Sequence, residues 1–263
     1  MVSAVPSSSS SCLTPWFLVL SSQWRILYSL GLPELRCDFF DLTATAGPGT
    51  GESFSRLPVE PRDMILGDAG YSTAGSIESV VKQGGDVLVR INPQSLLFQP
   101  RGGGRSWNRL SHLHTVNRPG QIGQWKVVLR GTTVEGRICT VRKSEQAIQR
   151  AHRRLERRAS KKQIKTKPET WEYAKYVAVF TTEESWPVEL ILEWHRVRWQ
   201  VELLFKRLKS LARIGHLPKS DPQSSRAWLY GKLFAALLTG KLIRVGRDIS
   251  PWGYLLTGRQ TTQ

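Results

Sequence analysis

The segment DMILGDAGY, residues 63–71, joins a short apolar run to a sudden turn. The apolar run ends at Gly67 and Asp68, and this is how a buried central strand ends at a functional loop. A carboxylate at such a strand end is held rigidly at the edge of the sheet. An aspartate that begins a turn before a glycine is also very common, so Asp68 by itself favours an ordinary turn.

The segments on either side of this strand alternate between helix and strand patterns. STAGSIESVVKQGG (72–85) starts with serine and ends with two glycines, which predicts a helix. DVLVRIN (86–92) is typical of a strand, and WRILYSL (24–30) with LRCDFFDLT (35–43) predicts an antiparallel hairpin. Strands that alternate with helices in this way predict an α/β core.

A β-rich stretch interrupts this core. Residues 93–142 contain Gly and Pro turn signals between short strand patterns, and residues 145–167 follow as a predicted helix with nine Lys or Arg against two Glu. The predicted organisation has four parts. Residues 1–22 are an atypical start, disordered or frameshifted; 23–92 and 171–263 are the two parts of the core; 93–170 are the β-rich basic insertion.

The charge of the chain indicates a polyanionic partner. Its 263 residues include 38 Lys and Arg against 21 Asp and Glu, a net charge of +17. A folded chain with such an excess favours nucleic acid, and the alternative is a solvated basic surface. The ten tryptophans argue against disorder, because bulky aromatic rings must be buried or stacked.

Cysteine usage and hydropathy predict a cytoplasmic protein without a membrane span. The three cysteines are scattered, which predicts neither a disulfide framework nor a zinc site. CLTPWFLVL (12–20) is too short to cross a bilayer, and no Lys or Arg precedes it as in a signal peptide. LFAALLTGKLI (233–243) is interrupted by lysine and is predicted to be a buried helix.

The segment WHRVRWQVELLFKRLKS, residues 194–210, predicts an amphipathic basic helix with one acidic side chain, Glu202. At 100° per residue the core stripe contains Val197, Val201, Leu204, Leu208 and Leu211. A different stripe contains His195, Arg198, Glu202 and Lys209. Glu202 is then either half of an ordinary ion pair with Arg198 or a metal ligand beside DNA phosphates.

Both of these segments resemble the IS4 family of bacterial insertion-sequence transposases. The family signature is Tyr, two residues, Arg, three residues, Glu, six residues, Lys. Here the same frame holds His195, Arg198, Glu202 and Lys209, so three of four positions match. GDAGYS resembles the motif around the second catalytic aspartate of the family, with Asp68 in that role. The resemblance extends from about Trp24 to Tyr254.

The resemblance implies a fold and a chemistry. The fold is an RNase H-like, retroviral-integrase-like α/β core interrupted by the β-rich insertion. Asp68 and Glu202 become the catalytic residues and the ligands of Mg²⁺ or Mn²⁺. Family members of this DDE type cut transposon ends with water and join the 3′-OH to target DNA, with divalent ions activating the nucleophile.

The resemblance and the charge together imply double-stranded DNA as the partner, both transposon ends and target, in a nucleoid-associated protein of the bacterial cytoplasm. A homodimer is left open. The expected DNA-binding residues are Tyr71, Arg153, Arg154, Arg157, Arg158, His195, Arg198 and Lys209. Trp107 and Trp125 of the insertion either stack on DNA or pack into the core.

One departure predicts impaired activity. The first catalytic aspartate of the family is expected on the strand before WRILYSL, where LTPWFLVLSSQ (13–23) contains no acidic residue. Asp38 and Asp41 do not fill this position, because they lie on the strand that follows WRILYSL. The usual N-terminal DNA-binding domain of the family is also not recognisable, so we expect an N-terminally truncated or frameshifted start. The alternative function is a non-catalytic basic remnant that binds nucleic acid.

Overall fold

The computed structural model describes residues 12–19, 24–32, 36–44, 53–93, 95–103, 107–217 and 221–248, and for 12–19 the backbone alone. Contacts between residues divide the chain into two compact units. Unit 1 comprises Met1–Trp16, Tyr28–Phe39 and Gly51–Gln200, and unit 2 comprises Phe17–Leu27, Phe40–Thr50 and Val201–Gln263.

The described residues form both strands and helices, interspersed along the chain. The strands are β1 (Cys12–Val19), β2 (Trp24–Leu32), β3 (Arg36–Ala44), β4 (Met64–Gly67), β5 (Asp86–Arg90), β6 (Phe98–Pro100), β7 (Ile122–Leu129), β8 (Glu135–Arg142) and β9 (Tyr176–Thr181). The helices are α1 (Ala74–Lys82), α2 (Arg109–His114), α3 (Glu145–Lys162), α4 (Pro168–Ala174), α5 (Val188–Val197), α6 (Trp199–Ser210) and α7 (Pro222–Asp248).

The strands make one mixed sheet in the order β3-β2-β1-β4-β5-β9-β8-β7-β6. Strands β1, β4 and β5 are parallel neighbours, whereas β9, β8, β7 and β6 are joined by antiparallel pairing. The predicted mixed α/β fold is therefore confirmed. The β-rich strands β6, β7 and β8 continue the same sheet beyond β9.

Within unit 1, helices cover both faces of this sheet. Because side chains alternate along a strand, Met64, Leu66 and Leu88 share one face, where they pack with Ile191 and Leu192 of α5. The other face carries α1, which contacts β5 and the short 3-10 helix Phe54–Arg56. The apolar strand β4 is buried on both faces, as a parallel central strand should be.

Gly67, the last residue of β4, lies against two stacked aromatic rings. The rings of Phe54 and Tyr71 stack with their centroids 4.7 Å apart. A Cβ atom on Gly67 would lie 2.4 Å from Cζ of Phe54, so no side chain fits without moving the ring. The glycine that ends β4 is thus required by close packing, with no unusual backbone angle involved.

We expect Gly67→Ala to lower the free energy of unfolding by about 1–3 kcal/mol, because the added methyl group overpacks the Phe54 ring. Gly75→Ala is the matched control, since nothing lies within 4 Å of a Cβ at that helical position and alanine favours helix. Urea unfolding measures both variants. Equal stability of Gly67→Ala and the unsubstituted chain would contradict this packing.

The predicted single helix over 194–210 is wrong in one respect. It is two helices, α5 and α6, that meet at Arg198, although the Arg198 N–H still donates to the Trp194 carbonyl at 3.3 Å. On α6 the stripe buries Val201 and Leu208 as expected, and Phe205 joins them. Leu211 is wrong as a core residue, because it lies beyond the end of α6 and is 81% exposed.

The prediction that residues 233–243 form a buried helix is confirmed for the helix and wrong for most of the burial. The segment is helical, within α7, and Leu233 is buried. Phe234 is 67% exposed and Leu242 62% exposed, because apolar residues surround the helix while only one narrow side is covered. Among the described residues, no helix is both long and apolar enough to span a membrane.

Candidate functional site

Asp68 lies at the carboxyl end of β4, in unit 1. The parallel register pairs Gly67 with Val89, so the next residues along the two strands, Asp68 and Arg90, are neighbours at one sheet edge. Asp68 precedes the 3-10 helix Ala69–Tyr71, yet its side chain makes no capping hydrogen bond there. The carboxylate is therefore not used to hold the turn, which removes the main support for the ordinary-turn interpretation.

The Asp68 carboxylate lies beside Arg198, the residue that follows α5. Its Oδ1 lies 3.9 Å from Nη1 of Arg198, whose side chain is only 10% exposed. Oδ1 is buried and accepts no hydrogen bond from any described residue. A buried oxygen of this kind is held close to a cation without being saturated by donors, which suits a ligand for a further positive charge.

His195 lies on α5 close to the same carboxylate. Burial, and after it the positive charges of Arg198 and Arg90, lower the pKa of His195 to about 4, and Asp68 opposes that shift only in part. The imidazole is therefore neutral at pH 7 and keeps one N–H for donation. Its Nε2 is buried and has no hydrogen-bond partner among the described residues.

The other residues of the predicted signature lie in unit 2. Glu202 is exposed in the first turn of α6, and Lys209 is exposed in its last turn. They are seven positions apart, which is about two helical turns, so both side chains leave the same side of α6. The convergence of Glu202 with Asp68 stays a prediction.

The four predicted arginines of the insertion, Arg153, Arg154, Arg157 and Arg158, are all exposed on α3, which confirms the predicted helix. The side chain of Ser144 caps the start of α3, and Ile148 is buried beneath it. The ring of His152 meets Trp171 of α4 edge-on. The helix therefore rests on α4 while its arginines face solvent.

Tyr71, one of the predicted DNA-binding residues, lies in the hydrophobic core of unit 1. It is 2% exposed and stacks on Phe54. This packing explains why a large aromatic residue follows Asp68 in unit 1. A DNA contact of Tyr71 stays a prediction.

The two tryptophans of the insertion line a cavity of about 690 Å³. The Trp107 ring stacks on His112 with centroids 4.3 Å apart, and it lies 5.9 Å from the Trp125 ring. Trp125 also packs against the small core around Leu113. Both tryptophans are half-buried, so packing and access to the cavity coexist.

Arg90 was not among the site residues predicted from the sequence. Arg90 follows the start of β5 by four residues and Asp68 follows the start of β4 by four residues, but the sequence alone does not show that these two strands pair. When two parallel strands begin in register, residues at equal offsets become neighbours. The positive charge beside Asp68 could thus be found only once β4 and β5 were paired.

The described residues do not provide a complete set of ligands for a metal ion. Among the described side chains, no group of three His, Cys, Asp or Glu is close enough to hold a metal ion. Residues 12–19 on β1 contain no Asp, Glu or His. Asp68 suits a metal ligand because its buried Oδ1 accepts no hydrogen bond from a described residue, but the part of the chain that the structure describes contains no three-carboxylate site.

Comparison with known proteins gives a family. Residues 50–238 match the family model described as the transposase DDE domain. The chain is 27% identical over 242 residues to the transposase for IS421 of Escherichia coli, covering 88% of this chain and 64% of that protein. It is 25% identical to the transposase for IS231F of Bacillus thuringiensis subsp. israelensis, covering 76% of this chain and 46% of that protein.

These matches cover most of this chain but less than two thirds of the length of the relatives. The family match includes β4, Asp68, α5 and α6, the elements that carry the predicted signature. The resemblance to IS4-family transposases is thereby confirmed, and the chain belongs to the transposase DDE domain family.

Proposed function

We propose that this chain acts in DNA transposition, with strand cleavage at insertion-sequence ends and transfer to target DNA as its reaction. The observation that carries the proposal is Asp68. It follows a buried parallel strand, its carboxylate is 3.9 Å from the guanidinium of Arg198, and it lies inside a region that matches the DDE domain. A rigid carboxylate beside a cation can bind a metal ion next to a phosphate.

The core is proposed to be RNase H-like, with residues 93–170 as its β-rich basic insertion. The supporting feature is a sheet in which β1, β4 and β5 are parallel neighbours and β2 and β3 lie outside β1. Helices cover both faces of this sheet in unit 1. In such sheets the carboxyl ends of the parallel strands are the usual place for a site.

Each residue has a proposed task. Asp68 and Glu202 hold Mg²⁺ or Mn²⁺, and the bound ion would polarise the attacked phosphate. Arg198 and Lys209 position the phosphate backbone, the first by a planar fork and the second as a point charge. Neutral His195 donates one hydrogen bond to a phosphate oxygen.

The binding partner is proposed to be double-stranded DNA. The net charge of +17 and the exposed arginines of α3 support this. A helix of 18 residues is about 27 Å long, which is about the length of eight base pairs. A homodimer is left open.

A second candidate function is supported by the absence of acidic residues at 1–33. A chain with only two metal-binding carboxylates can keep its cationic surface and lose cleavage. In that case it is a basic nucleic-acid-binding protein without catalysis. Metal-dependent nicking that requires Asp68 distinguishes the first candidate from the second.

We expect salt-sensitive binding to duplex DNA with little sequence preference, because phosphate contacts release counterions. Replacing Arg153, Arg154, Arg157 and Arg158 by alanine should reduce the slope of log K against log[salt] by roughly 2–4, at about 0.9 per lost contact. Fluorescence anisotropy with a 30-base-pair duplex across a salt series gives the slope.

The control removes charge from the opposite edge of the sheet, at Arg62 and Lys82, which are exposed and precede β4 and β5. The control variant should bind nearly as well as the unsubstituted chain. A flat plot for the unsubstituted chain would contradict DNA as the partner. An unchanged slope after the four α3 substitutions would make α3 merely a solvated helix.

A further inference from the structure

Arg90 and Lys143 leave the same face of the sheet at the same edge. The cross-strand register aligns Arg90 with Val179 and Val179 with Cys139, so these three side chains share one face. Pairing continues past the end of β8, because the Lys143 N–H donates to the Lys175 carbonyl at 3.0 Å. Lys143 is four residues beyond Cys139, and alternation places it on that face too.

This face and edge also carry Asp68. It is two residues beyond Leu66, whose side chain packs against α5 in the same cluster as Cys139 and Val179. The long side chains of Arg90 and Lys143 therefore extend along the side of the sheet on which the candidate site lies. Neither residue belongs to the signature that first indicated the family.

Lys143 is held in place by backbone atoms. Its Nζ donates at 2.7 Å to the carbonyl of Ala174, the last residue of α4, where the helix dipole favours a cation. Burial, then the charges of Arg90 and Arg154, lower the pKa of Lys143 to about 8. Three cations thus meet between the sheet edge and α3.

The neighbouring cations are neutralised, and these three are not. Arg142 pairs with Glu145 at 3.1 Å and Lys175 pairs with Glu172 at 2.7 Å. Within the described residues, no carboxylate lies within ion-pair distance of Arg90, Lys143 or Arg154. Holding like charges together costs free energy, which an anion would recover.

We infer that Arg90, Lys143 and Arg154 form a binding site for backbone phosphates of duplex DNA, leading from the Asp68 edge to the arginines of α3. This inference rests on the proposed function and adds the route by which the duplex reaches the site. The three residues are positioning residues. They hold the strand so that one phosphate lies at the edge where Asp68 and Arg198 meet.

Duplex DNA is favoured over a small anion by the arrangement of the charges. A small anion would need one compact pocket, whereas these cations continue into the exposed arginines of α3. Successive phosphates of one strand match such a series, because they repeat along the backbone. Inorganic phosphate should therefore compete only weakly.

The test compares Arg90→Gln/Lys143→Gln with Arg62→Gln/Lys82→Gln, two variants that lose the same charge at opposite edges of the sheet. We expect the first to reduce the salt slope of duplex binding by about 1.8 and to weaken binding about 10- to 60-fold at 0.1 M salt. The control should change neither. Arg90→Lys/Lys143→Arg, which keeps both charges, should restore most of the affinity.

Circular dichroism and thermal unfolding of each variant show whether a loss of binding reflects a loss of fold. If the unsubstituted chain binds duplex DNA with a steep salt slope and Arg90→Gln/Lys143→Gln is folded but binds equally well, this inference is wrong and the proposed function stands. If the unsubstituted chain shows no salt-dependent binding, the proposed function itself fails. Competition by 1 mM inorganic phosphate equal to that of duplex DNA would assign the site to a small anion and overturn the inference.

Discussion

Nicking of insertion-sequence ends by this chain should be several orders of magnitude slower than by a family member with all three carboxylates. The catalytic ions of such sites share ligands, and the parts of a catalytic unit do not act additively. Here β1 is the parallel neighbour of β4, which is where a first carboxylate would have to lie, and it contains no acidic residue. Asp38 lies on β3, which two other strands, β2 and β1, separate from β4 in the sheet order.

The measurement is single-turnover cleavage of a duplex with the element's own ends, in Mg²⁺ and in Mn²⁺. Glu202→Ala is the control for contamination, because nicking that survives this substitution does not come from the proposed site. Nicking at a rate equal to that of a complete family member, and abolished by Glu202→Ala, would contradict the prediction of impairment. Binding of the duplex should persist in every variant, since α3 is untouched.

Acid should destabilise the fold through His195. Burial lowers its pKa to about 4 in the folded chain, from 6.5 for a free histidine side chain. A lowered pKa means that the unfolded chain binds the proton more readily, so stability is fully present above pH 6.5 and is lost as the pH falls towards 4. A lowering of this size corresponds to roughly 3 kcal/mol of unfolding free energy.

Urea unfolding of His195→Gln between pH 7 and pH 4 isolates this contribution. Glutamine keeps a hydrogen-bonding side chain of similar reach and cannot take up a proton. We expect the unsubstituted chain to lose about 2–3 kcal/mol more than the variant over this range. His114 is a suitable second control, because its side chain is exposed and its substitution by glutamine should not remove the pH dependence. Parallel pH curves for the unsubstituted chain and His195→Gln would contradict the burial of the imidazole beside Arg198 and Arg90.

Local sequence signals were sufficient for the strands and helices around Asp68. The apolar run of β4, the glycine that ends it and the cap of α1 are all features of neighbouring residues, and such patterns do not depend on the rest of the chain. The cap itself is Thr73, one residue after the predicted serine. The same holds for α3, whose charge pattern predicted an exposed helix.

The break at Arg198 could not be predicted in this way. No Pro or Gly interrupts residues 194–210, so helix propensity favours one continuous helix. In the structure α5 packs on the sheet, and the buried guanidinium of Arg198 lies beside Asp68, more than 100 residues earlier in the chain. A tertiary contact of this range leaves no periodic signal in the sequence.

The exposure of α7 likewise could not be predicted from the sequence. The apolar residues at 233–243 predict that the helix packs against another part of the protein. The pattern does not show which side of the helix is covered. Arg90 and Lys143 were missed for a related reason. Their relation to Asp68 follows from strand register, and register is decided by pairing between distant segments.

We propose that Asp68 and Glu202 form one divalent-metal site, and titration of Mn²⁺ tests this proposal most directly. Free Mn²⁺ can be followed by electron paramagnetic resonance with the whole chain, Asp68→Asn, Glu202→Gln and the double variant. Asp86→Asn is the control, because that carboxylate is engaged with Thr182 at the other end of the strands.

If the two carboxylates share an ion, each single substitution should abolish the site and the double substitution should add nothing, whereas Asp86→Asn should bind Mn²⁺ as the unsubstituted chain does. Retention of full Mn²⁺ binding by either single variant would contradict the shared site. So would a measured separation of the two carboxylates above about 10 Å, which is more than two ions about 4 Å apart can bridge.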